Sequence, residues 1–452
     1  MKTSRRQFLT AMGLGSGALL SGRGIMIAGR EIAAVASVRP GAEEPGKVQK
    51  DFISILNPKT LAADRVPAER IYIGPFYKPC VARLPSDELR LIAEDTQPNP
   101  NLHVDNLHPI LRSRDGGRTW EKFAVADLTS GEPYLTALKD GTLFMTGDIW
   151  IRSQGKPGRN LAHYLHRSED GGLSWTNPET ASMPMREKDI RVTTRNVLRL
   201  RDGSLVVGLG DMNVYDPGMG PKTFFWRSFD GGRTWSERYP AEFEDFRKGY
   251  KYDLFEEAHL WEARSGKILA LVRVSPDYAP FPGRPTPSLP RSMKYEDMRD
   301  NWRPGQAPYT GPDGEYCDDF DRLIVYGSAD LGRTWKKVRD FGDYGEGHYP
   351  SILRLQDGRL LLTFTLRAGK DQLGLQAIPA TETPDGFDFD LEHDRIVIEA
   401  KTPMNMVSGG GYGPTVQLKD GTLVTSYSYR IAKTNRGLRS EVVRWRLPKA
   451  RM

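Results

Sequence analysis

The sequence predicts an all-β fold, a six-bladed β-propeller, on three observations. A turn motif occurs four times, a hairpin motif occurs six times, and the composition is rich in turn formers. The chain has 452 residues with 46 Gly and 32 Pro, more than an average globular protein carries. Hydrophobic residues make up 38%, too few for a polytopic membrane protein. With 10% aromatic and 27% charged residues, the chain is not of disordered composition either.

The turn motif is Ser113-Arg114-Asp115-Gly116-Gly117-Arg118-Thr119-Trp120, with counterparts beginning at Ser168, Ser228 and Ser328 and ending at Trp175, Trp235 and Trp335. Each copy follows a short apolar run such as Leu323-Ile324-Val325-Tyr326. Asp and Ser bond nearby backbone amides, Gly takes the φ > 0 position, and Trp packs beneath, which suits a tight hairpin. The second motif places turns at Asp87, Asp140-Gly141, Asp202-Gly203, Ser265-Gly266, Asp357-Gly358 and Asp420-Gly421, each followed by a strand-like run. Their intervals are mostly about 60 residues, which is what blades of about four short strands need. The one wider interval holds a Pro-rich insert, residues 276–312, expected as a long loop. The propeller is expected over residues 67–449, with residues 37–66 as a linker.

The N-terminus, Ser4-Arg5-Arg6-Gln7-Phe8-Leu9-Thr10, is a twin-arginine pattern. A mild apolar stretch to Leu20 follows it, then a small-residue cleavage site at Ala34-Val35-Ala36. Residues 1–36 are therefore expected to be an export signal, and the protein to be periplasmic or secreted. The apolar stretch is too short and too Gly-rich to span a bilayer. The formal charge of +6 falls to +2 once Lys2, Arg5, Arg6, Arg23, Arg30 and Glu31 are removed. No basic run remains, so nucleic acid is not the expected partner. Two cysteines, Cys80 and Cys317, exclude a disulfide scaffold and any multi-cysteine metal site; their spacing leaves a bridge between them open. There is no phosphate loop, cofactor motif or metal-ligand cluster.

The innermost strands of a propeller start near its axis, so equivalent positions converge. Counting back equally from each hairpin gives Pro79, Glu132, Thr194, Glu257, Tyr349 and Tyr412. The ends of the second strands add Glu94, Asp148, Asp211, Arg273, Arg367 and Arg430. Together they outline a charged, concave site suited to a polar ligand.

The four Ser-x-Asp-x-Gly-x-[Thr/Ser]-Trp copies resemble the Asp-box, or BNR repeat, of the sialidase superfamily, and the resemblance spans most of the chain. Glu257-Ala-His-Leu-Trp-Glu262 with Arg273 is similar to the family's segment carrying the activating Glu and a carboxylate-binding Arg. Gly411-Tyr412-Gly-Pro-Thr-Val-Gln417 resembles the segment with the Tyr nucleophile. Asp105 lies where the family places its acid/base Asp, flanked by His103 and His108, which are expected as surface-loop histidines. The resemblance implies retaining hydrolysis of a terminal, acidic sugar from a glycan. Tyr412 attacks the anomeric carbon, Glu257 takes its proton, and Asp105 protonates the leaving oxygen.

The sequence departs from that pattern at the first of three expected substrate-binding arginines. Phe76-Tyr77-Lys78-Pro79 stands there, leaving Lys78 as the nearest cation. Arg367 or Lys370 fits the third arginine, and Arg191 and Arg195 lie near the pocket register of the third blade. Lys binds as a point charge and cannot copy the Arg fork. Two alternatives stay open beside the sialidase-type hydrolase. One is a different glycan hydrolase or a lyase built on Glu132, His348, Tyr349 and Tyr412; the other is a non-catalytic glycan-binding propeller.

Overall fold

The computed structural model describes residues 45–95, 107–126, 131–148, 165–176, 190–192, 194–211, 222–243, 254–275, 322–341, 347–366, 374–400, 413–430 and 438–451. Every regular element among them is a β-strand. The strands pair antiparallel in the blade-like order of a propeller, apart from the short parallel pairing of Glu242–Phe243 with Thr334–Trp335. In one, Tyr77–Arg83, Leu89–Glu94, His108–Ser113 and Glu121–Ala126 pair in chain order.

All six hairpins fold alike. In each, an amide donates back to a carbonyl at the same offset: Asp87 to Leu84, Gly141 to Leu138, Gly203 to Leu200, Gly266 to Ala263, Gly358 to Leu355 and Gly421 to Leu418, at 2.9–3.0 Å. The donor is always at positive φ, from 78° to 92°. Five are Gly; the sixth, Asp87, occupies the glycine place at φ 78°. The count for the first blade therefore starts one residue earlier than the Asp-Gly pattern suggested, and its axial residue is Lys78 rather than Pro79.

The four Ser-x-Asp turns follow the third strands of their blades. In the first, Gly117 N–H donates to Ser113 Oγ (2.8 Å), and Thr119 N–H and Oγ1–H donate to Asp115 (2.9 and 2.6 Å). Burial alone would raise these carboxyls, but the Thr and backbone donors outweigh it and hold Asp230 down at about 2. Each Trp reaches the preceding blade. Trp335 stacks on Phe225 at 5.4 Å, and Trp235 meets Phe144 edge-on at 6.4 Å. Register places these turns at the hairpin end, since Ser113 pairs with Leu89, Ser228 with Leu205 and Ser328 with Ile268. They are folding elements far from the strand starts that carry the site.

Residues 48–66, expected as linker, are built into the sheets. Val48–Leu56 pairs with Arg65–Gly74 and with Arg395–Val397, and Arg65–Gly74 also pairs with Leu438–Trp445. The two ends of the described chain thus share one ten-stranded sheet. The reason lies in Phe52-Ile53-Ser54-Ile55, which buries Ile53 and Ile55 on one face of a strand.

Asp394 locks this closure. Its carboxylate accepts the amides of Lys59 (2.7 Å), Thr60 (2.9 Å) and Leu61 (3.1 Å) and the Thr60 hydroxyl (2.7 Å). We expect Asp394→Ala to lower stability by about 2 kcal/mol, measured by urea unfolding, because three amides and a hydroxyl, part-buried or buried, lose a charged acceptor. Burial works to raise the Asp394 carboxyl, yet these donors leave it below its ordinary value. The clasp's contribution is therefore complete above the unfolded pKa of about 3.9 and fades as pH falls through the folded one.

Cys80 is a buried free thiol, with Leu135 N–H donating to its Sγ at 3.1 Å. Burial pushes it up to about 12, so it stays protonated. Cys317 lies outside the described residues.

Candidate active site

Four innermost strands begin with the same backbone irregularity. The ladder slips between Tyr77 and Cys80, Gly131 and Tyr134, Glu256 and His259, and His348 and Ser351. At each slip one residue adopts positive φ without being Gly: Lys78 (46°), Glu132 (50°), Glu257 (52°) and Tyr349 (50°). A β-bulge re-aims a side chain, and a left-handed non-Gly residue costs about 1–3 kcal/mol. Four such residues at one register mark a site held against local backbone preference. Three of them precede Pro (Pro79, Pro133 and Pro350), which has no N–H to leave unpaired at a break in the ladder. That X-Pro signal was present in the sequence and unused.

The third blade differs. Its register residue, Thr194, is buried with its hydroxyl tied to the Gly208 backbone, accepting from the amide at 2.8 Å. Arg195, the next residue, supplies the side chain instead.

These residues form one buried network. Arg195 Nη2 donates to both Glu132 Oε2 and Glu257 Oε1, each at 2.8 Å, and Arg195 Nη1 donates to the Glu132 carbonyl at 3.2 Å. Arg273 Nη1 lies 3.2 Å from the same Glu257 oxygen. Lys78 Nζ donates to the Tyr349 hydroxyl and pairs with Glu132 Oε1. The Glu132 amide donates to Glu94 Oε2 at 3.2 Å, and Glu94 is fully buried. Contacts within the network span up to 271 positions of sequence.

Glu257 is its centre. Burial works to raise its pKa, but Arg273, Arg195 and Lys78 together outweigh both burial and the neighbouring Glu132, so it is held below the usual value and stays ionised. Its second oxygen, Oε2, is buried and accepts no hydrogen bond from a described residue. An ionised carboxylate with one oxygen fixed and no described donor on the other can accept a proton.

Of the residues predicted for the site, Lys78, Glu132, Arg195, Glu257, Arg273 and Tyr349 are brought together. Asp105, Tyr412, Arg367 and Lys370 lie outside the described residues, as does His103. His108 is no surface-loop histidine: it opens the strand His108–Ser113 and is fully buried. A cavity of about 330 Å³ is lined by the inner strands further along, at Tyr134, Asn196, His259, Thr415 and Gln417. No residue of the network lines it. No group of three or more metal-ligating side chains occurs among the described residues.

Comparison with known proteins fits this architecture. The profile of the BNR repeat-like domain matches residues 56–362, well over half of the chain. The chain belongs to that family. A protein of unknown function from Dyadobacter fermentans is similar at 19% identity and a TM-score of 0.54, covering 89% of this chain and 100% of its own. The Penicillium chrysogenum α-L-arabinanase, complexed with arabinobiose, is 14% identical, with a TM-score of 0.51 and coverage of 87% and 98%. The Ruminococcus gnavus intramolecular trans-sialidase, bound to oseltamivir carboxylate, is 13% identical, with a TM-score of 0.51 and coverage of 82% and 94%. At these identities the likeness establishes the fold, so the BNR-repeat chain is a sialidase-like β-propeller. No curated protein sequence matches it.

Proposed function

We propose that this BNR-repeat propeller is a retaining glycoside hydrolase that releases a terminal sugar from a glycan. The observation that carries the reading is Glu257: ionised, clamped by Arg195 and Arg273 through one oxygen, and bare at the other. Tyr412 stands at the same offset before its hairpin as Lys78, Glu132, Glu257 and Tyr349 before theirs, which supports it as the nucleophile. In the first step the Tyr412 oxygen bonds to the anomeric carbon as the glycosidic bond breaks. Glu257 Oε2 takes the phenolic proton, and the Asp105 carboxyl gives its own to the departing oxygen. Water then attacks the glycosyl-tyrosine; Asp105 takes a proton from the water and Glu257 returns one to Tyr412. Sialidases and arabinanases among proteins of this fold make glycan chemistry the natural reading.

Aryl glycosides assayed with the purified protein test this. Tyr412→Phe is expected to abolish turnover while substrate binding persists. A second reading draws on Glu132 and Glu257 sharing one Arg195 nitrogen, which holds two carboxylates within two hydrogen-bond lengths of each other. Such a pair is the usual acid and nucleophile of retaining glycosidases. Full activity in Tyr412→Phe, lost in Glu132→Gln, would select it.

Export by the twin-arginine route belongs to the same proposal, supported by Arg5-Arg6. Replacing both by Lys is expected to leave the protein in the cytoplasm, read by fractionation.

A further inference from the structure

We infer that the floor of this site is built to receive an uncharged sugar, recognised through hydroxyls donated to Glu132 and Glu257 rather than through a carboxylate. The inference rests on the glycan-site reading above and departs from the acidic sugar that the sialidase resemblance implies. Three cations of the floor, Lys78, Arg195 and Arg273, engage two carboxylates, Glu132 and Glu257, and Glu94 accepts the Glu132 amide.

Gripping a substrate carboxylate takes a guanidinium with two parallel N–H groups to offer. Arg195 has no such pair to give. Its Nη2 already bridges Glu132 and Glu257, and its Nη1 is held by the Glu132 carbonyl. Arg273 directs Nη1 at Glu257. Lys78, the cation nearest to where the resemblance implies an arginine, is 2% exposed and engaged by Glu132 and the Tyr349 hydroxyl. What the floor does offer is acceptors. Glu257 Oε2 is unpartnered in a side chain only 8% exposed, and Glu132 keeps 14% of its side chain open. Acceptor-rich walls fit hydroxyl donors, whereas an incoming carboxylate would meet like charge.

The test compares sugars on the intact protein. Binding of L-arabinose and D-galactose is titrated against N-acetylneuraminic acid and D-glucuronic acid, and hydrolysis of the matching aryl glycosides is followed in parallel. The neutral sugars are expected to bind at least about tenfold more tightly, with any turnover about 100-fold in their favour, because an acid brings a like charge to the carboxylates. Equal or tighter binding of either acid overturns the inference. Neutral sugars bound but never hydrolysed would uphold it while refuting the hydrolase reading; binding of no sugar at all refutes both. Glu132→Gln supplies a second readout. It releases Lys78 and part of Arg195, so the ratio of acid to neutral affinity should rise about tenfold, a gain expected when a like charge is removed. An unchanged ratio in the folded variant, checked by circular dichroism, also counts against the inference.

Discussion

Glu257→Gln is expected to cut kcat by about 1,000-fold, within the range that loss of a positioned general base produces. The amide fills the same volume but cannot take a proton at Oε2, the oxygen that no described residue occupies. KM should change far less than kcat, because the loss falls on the transition state rather than on sugar binding. The pH dependence carries a second signature. In the wild type, Glu257 lies below its ordinary pKa because Arg273, Arg195 and Lys78 overcome its burial. Activity that needs its ionised form should therefore persist to lower pH than a free carboxylate would allow, and that acidic limb should be missing from the residual rate of the variant. A kcat within tenfold of wild type would remove Glu257 from the chemistry.

Arg195→Met should have the largest effect on stability. The side chain is 2% exposed and is the only described group bonded to both Glu132 and Glu257. Removing it leaves two carboxylates facing one another in a buried site, and breaking such a pair costs about 3–5 kcal/mol. The sign of the pH effect follows from the wild type. Because the folded pKa of Glu257 is depressed, its contribution is present above the unfolded value and lost as pH falls through the folded one. Without Arg195, burial and Glu132 are opposed only by Arg273 and Lys78, so the Glu257 pKa rises. The acidic limb of kcat/KM then moves to higher pH, and the stability gained between acid and neutral pH shrinks. Urea unfolding at two pH values and a pH–rate profile measure both. An unfolding midpoint equal to wild type would mean the network contributes no net stability.

The stability cost and the chemistry trace to the same geometry, which was readable in the sequence only in part. The hairpins were plain because they obey local rules: an amide returns to a carbonyl a few residues back, and the turn residue takes positive φ. The same rule failed at Asp87, where an acidic residue sits in the glycine conformation and the count slipped by one, from Lys78 to Pro79. Local periodicity also hid Val48–Leu56, because the connection to its partner Arg65–Gly74 carries neither an Asp-Gly nor a Ser-x-Asp turn, and its other partner lies far away at residues 395–397. His108 seemed a loop residue for the same reason: the burial of a strand's first residue depends on neighbouring chain, not on its own flanks.

The sequence by itself determined the all-β repeat, the axial register that nominated Glu132, Glu257 and Tyr349, and Lys78 as the cation nearest to a missing arginine. Those follow from turn chemistry and strand alternation, which act over a handful of residues. Only the tertiary structure decided what these groups do to one another. Lys78 pairs with Glu132 and Tyr349, and Arg195 rather than Thr194 supplies the side chain of its blade, so these two nominated cations are already engaged by described residues. Polar groups separated by 62, 63 or 271 positions meet only because the blades return each inner strand to one axis. At the centre of such a ring, burial makes every charge dependent on its neighbours.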